Sequence, residues 1–176
     1  MSWNSGIRMN GKMSALLQRA GLRWPVAAHV VPVQLPTLEM FEDCVLLKSE
    51  WERNRHVKIT NLPDKTGFEC FINHIHLPFA GTNESLISCL DYAATLQEAL
   101  MPVTQDRQFR VIVSLSEDDR ACSVRFLQIR PGENSMSEDL EGYKSEAILV
   151  FDVPSWRQLI FGNLRRKISL RVAGRD

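Results

Sequence analysis

The 176 residues contain no Cys-x-x-Cys pair, no His-Glu-x-x-His, no Gly-x-Ser-x-Gly, no P-loop and no Gly-x-Gly-x-x-Gly. These absences remove the common sequence signatures of thiolate zinc sites, zinc peptidases, serine esterases and nucleotide-binding folds. No run of about 18 apolar residues exists, so the sequence offers no membrane-crossing helix. Cysteine is sparse, with only Cys44, Cys70, Cys89 and Cys122. Each lies in an apolar segment, where a free thiol behaves as a small hydrophobe. Their wide scatter suits free thiols in a reducing compartment, and a cytoplasmic setting is expected. Acidic residues are missing altogether from positions 1–36.

What is present is enough for one domain with a real core: 44% apolar residues and 24% charged ones. The formal net charge of zero conceals a strong asymmetry. Residues 37–153 hold 11 of the 21 basic residues and 20 of the 21 acidic ones, a net of −9. The chain divides accordingly into a basic N-terminal arm (1–36), an acidic α+β domain (37–153) and a basic C-terminal extension (154–176). The arm, broken by Pro25 and Pro32, is expected to be partly mobile. Within it, Ser14–Leu22 could form a short helix capped by Ser14.

Periodicity supplies the elements. Residues 37–54 read as a helix, with Thr37 as cap, acids in the first turns and arginines at the end. A strand through Cys44–Leu47 is the alternative. Val57–Thr60 and Phe68–Leu77 read as a hairpin around NLPDKTG. Residues 82–101 form the clearest helix, with apolar positions at helical spacing and Pro102 at its end. Phe109–Leu115, 122–130 and Ala147–Val153 read as strands, the first two as a hairpin and the last within the sheet. The expected fold is therefore α+β: a mainly antiparallel sheet of about five strands with two helices packed against it.

FECFINHIHLPF, residues 68–79, raises the one metal question. His74 and His76 alternate onto the same side of a strand, as two ligands of a zinc ion could. A third ligand is needed, and His56, Glu69, Asp64 or Cys70 could supply it. A metal-dependent enzyme on His74 and His76 is thus the alternative reading. The simpler one makes both ordinary sheet residues, with no metal and no cofactor. A Cys70–His74 couple fails on distance, because four residues of strand span about 13 Å.

The remaining chemistry is charge. Glu117, Asp118 and Asp119, then Glu138, Asp139 and Glu141, fall in predicted loops, where carboxylates stay ionised and solvated. The only basic cluster, LRRKISLRVAGR in the 154–176 tail, is the one place for nucleic-acid contact, and the acidic centre would repel a duplex.

Two stretches, FECFINHIHL and VRFLQIRPGE followed by DLEGYKSEAILVFDV, resemble small bacterial immunity proteins of polymorphic toxin systems. The resemblance covers residues 57–153. It implies a non-enzymatic α+β protein that neutralises a basic partner, such as a toxin, by occlusion. The acidic centre agrees with such a partner, since complementary charge speeds association. The expected contact surface is Glu117, Asp118, Asp119, Glu138, Asp139 and Glu141, with Tyr143 as an aromatic anchor.

Overall fold

The computed structural model describes residues 6–22, 35–116, 121–133 and 136–154. Seven strands run β1 (Ile7–Met9), β2 (Leu38–Phe41), β3 (Cys44–Leu47), β4 (His74–Pro78), β5 (Phe109–Ser116), β6 (Ala121–Gln128) and β7 (Ala147–Val153). The helices are α1 (Gly11–Arg19), α2 (Lys48–Arg53), α3 (Lys65–Ile72) and α4 (Asn83–Leu100). Five strands form one sheet in the order β1-β7-β5-β6-β4, antiparallel at every junction. The expected α+β class and antiparallel sheet are what the chain adopts.

Alternation along the strands divides the apolar residues between two faces. Val111, Val113, Leu115, Val124, Phe126, Leu149 and Phe151 point to one face. Helix α4 covers it with Leu86, Leu90, Ala93, Leu96 and Leu100, and α1 adds Met13 and Leu17. Each leucine buried this way contributes about 1.5–3 kcal/mol. Ile112, Leu127, Ile148 and Val150 point to the other face, beneath Leu140, Met136, Tyr143 and Cys70.

Three sequence expectations need correction. Residues 37–54 are not one helix: β2 and β3 form a hairpin, followed by the short α2. The turn places Glu42 and Asp43 at φ 47° and 70°, a left-handed pair without the glycine that normally announces such a turn. The expected Phe68–Leu77 strand is instead α3 followed by β4, and the 57–60 strand is a 3-10 turn at Ile59–Asn61. Asp64 caps α3 by accepting from the Gly67 amide at 2.6 Å. The first helix is Gly11–Arg19, capped by Asn10 rather than Ser14.

Residues 7–19, inside the expected basic arm, belong to the sheet and core. Asn10 fixes them: its Oδ1 accepts from Met13 and Ile148 amides, and its Nδ2 donates to the Glu146 carbonyl. The 155–176 part of the basic extension lies outside the described residues.

β4 pairs with only part of β6, from Ala121 to Arg125. Beyond it, two α3 side chains take the place of a strand. Buried Glu69 accepts from the Val45 amide of β3 and the Gln128 amide of β6. Buried Asn73 accepts from the Leu47 amide and donates to the Val45 and Phe126 carbonyls. The β2–β3 hairpin is thereby stitched onto the end of the main sheet. Arg130 neutralises Glu69 through paired bonds of 2.8 and 3.0 Å. Arg130 and Arg107 also donate to the Asp43 carbonyl, holding the left-handed turn.

Candidate functional site

The register places His74 opposite Arg125, and His76 opposite Ser123, which in turn faces Ser114 on β5. These polar side chains share the sheet face on which Ile112 and Leu127 lie beneath residues 136–143, with Arg125 directly opposite Ile112. His76 is exposed, and His74 and Arg125 are half-buried. The two imidazole centroids are 4.3 Å apart, tilted by 40°. Arg125 Nη2 donates to Ser123 Oγ at 3.3 Å. Ser114 Oγ donates to the Glu146 carboxylate.

His74 Nε2 and Arg125 Nε are buried without a hydrogen-bond partner. Such groups are rare in folded proteins, because an unpaired buried donor carries its full desolvation cost. Arg8 Nη2 and Arg130 Nε are unpaired too, yet their guanidiniums already meet Glu138 and Glu69. Arg125 meets no carboxylate among the described residues. Burial pushes the His74 pKa from 6.5 down to about 4, and the charge of Arg125 and then His76 add to the fall. At neutral pH the strip therefore combines the Arg125 guanidinium, a neutral His74 and a serine hydroxyl, with His76 beside them.

The same register bears on the metal alternative. Arg125 stands beside His74, where a third ligand would have to approach, and a guanidinium repels a metal cation. The other candidate ligands are elsewhere: Glu69 is bound by Arg130, Asp64 caps α3, Cys70 packs on the sheet from α3, and His56 is exposed after α2. Among the described residues no group of three His, Cys, Asp or Glu side chains is placed to hold a metal ion. All four cysteines are free thiols. The Cys44 pKa is pushed up to about 11 by burial and then by the Glu69 charge, and that of Cys122 is raised by its bond with Cys89 and by burial. Neither is a thiolate at neutral pH.

Of the expected acidic surface, Glu117, Asp118 and Asp119 lie outside the described residues. Glu138, Asp139, Glu141 and Tyr143 do fall together in one segment, but each makes an internal bond. Glu138 pairs with Arg8 and Arg110. Asp139 accepts from the Glu141 amide, and Glu141 accepts from the Gly11 amide at the start of α1. Tyr143 Oη accepts from the Ser137 amide and packs under the sheet. The acids thus hold the 136–143 cap and α1 in place.

Arg125 and Ser123 were not singled out from the sequence, although a signal existed. In CSVRFLQ the polar residues alternate with Cys122, Val124 and Phe126, so both point away from the core. Their meeting with the histidines depends on pairing between strands 47 residues apart, which no local pattern encodes.

Fold and site together define a small α+β protein with a polar strip at one edge of its sheet. The chain belongs to the uncharacterised protein PM0498 family, whose profile matches residues 8–166. No curated protein and no solved structure matches it. Among the described residues, no helix is long and apolar enough to cross a membrane.

Proposed function

We propose that the protein is a binding module whose working surface is the strip formed by His74, His76, Ser123 and Arg125. The observation that supports this reading is the pair of buried, partnerless nitrogens, His74 Nε2 and Arg125 Nε, on side chains that stand opposite each other across β4 and β6. A sheet built only for stability gains nothing from an uncompensated guanidinium beside two imidazoles, whereas a bound group would satisfy all three.

The test is affinity capture from native lysate, comparing the wild-type chain with Arg125→Ala and His76→Ala variants of unchanged thermal stability. A component retained by the wild type and lost from both variants is expected. Identical captures would remove the strip from consideration.

A second reading, the immunity-like occlusion of a basic partner, draws support from α4. Its Glu84, Asp91 and Glu98 recur every seven residues on one side, and the helix contains no Lys or Arg. A basic component whose capture survives the Arg125 and His76 changes, but is lost on neutralising those three acids to the amides, would favour it.

A further inference from the structure

We propose that the His74–His76–Ser123–Arg125 strip is an oxyanion site, taking a phosphate-type or carboxylate group; this rests on reading the strip as the working surface. The argument begins with charge. Arg125 is ionised at all accessible pH values, and no carboxylate meets it among the described residues. Its neighbour directly across the strands is His74, which the fold holds neutral and which supplies no counter-charge. Glu146 accepts from Ser114, the residue opposite Ser123, and among the described residues it makes no ion pair with Arg125. Among the described residues no ion pair reaches the strip from α3, where Glu69 is committed to Arg130. Among the described residues Arg125 is therefore a cation without a paired carboxylate.

The donor geometry completes the argument. Arg125 Nε offers one unpaired N–H. Ser123 Oγ accepts from Arg125, which leaves its own proton free to donate. The imidazoles of His74 and His76, 4.3 Å apart, can each supply a further donor. Charge-assisted bonds from guanidinium and imidazolium to an oxyanion are about twice as strong as neutral ones. Four donors from two adjacent strands suit an oxygen-rich anion, and they do not suit a neutral or cationic ligand. An anion seated here also favours the protonated form of His74, opposing the burial and the Arg125 charge that hold it neutral. Binding is thus linked to proton uptake at His74, with Arg125 and His76 as the side chains that face it.

The test follows the imidazole Cε1–H resonances of His74 and His76 by NMR. The full chain is titrated with inorganic phosphate, and separately with acetate, at constant ionic strength set by chloride. The expected result is a saturable shift of both resonances in at least one arm, with the His74 titration moving upward from about 4 towards 6.5. Arg125→Gln should weaken that response about tenfold or more, the loss of one charge-assisted contact. Arg125→Lys, which keeps the charge, should retain part of it. Dispersion of the same spectra reports whether each variant is folded. A response to phosphate alone assigns a phosphate-type ligand, and one to acetate alone a carboxylate. Resonances that ignore both anions, or that respond equally in Arg125→Gln, overturn the oxyanion assignment. In that case, selective capture lost with Arg125→Ala would still uphold the broader binding reading, and its absence would remove both.

Discussion

His74 owes its protonation behaviour to where the sheet places it. Burial comes first, then Arg125 across the strands and His76 two residues on. Its folded pKa is near 4 against an unfolded value near 6.5, so between those limits the unfolded chain binds the extra proton. The fold therefore keeps the full benefit of a neutral His74 above pH 6.5 and loses it progressively as the pH falls towards 4. Urea-unfolding free energies measured across that range should decline with acidification in the wild type. His74→Gln should flatten the decline, and an unchanged slope in that variant would contradict the assignment. The His-x-His spacing itself could be read directly from the sequence, as could its shared side of a strand. Arg125, which decides what the pair can do, could not, because cross-strand register is a property of the assembled sheet.

At the level of elements, the most consequential device is the use of Glu69 and Asn73 as a substitute strand. The same residue explains why α3 was misread. Phe68, Cys70 and Ile72 alternate like strand positions, which puts Glu69 on the face opposite to theirs. In the fold Glu69 is fully buried and Phe71 is half exposed, the reverse of that pattern. A charge inside the core defeats hydrophobic periodicity, since the carboxylate is tolerated only because Arg130 meets it at 2.8 Å. The β2–β3 hairpin was hidden for a comparable reason, its left-handed turn being made from Glu42 and Asp43. By contrast α4, β5, β6 and β7 follow their local patterns, and the sequence reading located each within two residues. Glu69→Ala should cost about 3–5 kcal/mol, because it leaves Arg130 buried and uncompensated. Amide exchange at Val45 and Gln128 should accelerate with it. A loss below about 1 kcal/mol in urea unfolding would mean that the hairpin is held chiefly by its apolar contacts.

For the whole molecule, the acidic centre and basic ends are a feature of the linear sequence that the fold partly dissolves. Arg8, from the basic N-terminal segment, pairs with Glu138 of the acidic one. Ile7–Met9 lies against β7, and Met13 and Leu17 are buried beside it. The composition shift at residue 36 is real but does not mark the edge of the core. Deleting residues 1–22 should therefore destabilise the protein by at least about 3–6 kcal/mol, from the loss of those two buried side chains alone. Thermal unfolding of the shortened chain should show a lower and broader transition. A transition equal to the full-length one would restore the arm to the role of an appendage.

The pairing of β1 with β7 also sets a schedule. Ile7 is made 144 residues before its partner, Phe151 (151 − 7). Until then Met13 and Leu17 have no sheet to cover, and β5 lacks its β7 neighbour. Contacts so distant along the chain are slow to form and leave apolar surface exposed while they wait. During synthesis the nascent chain must therefore hold α1 in reserve until β7 is made, and the sheet closes only when that strand arrives.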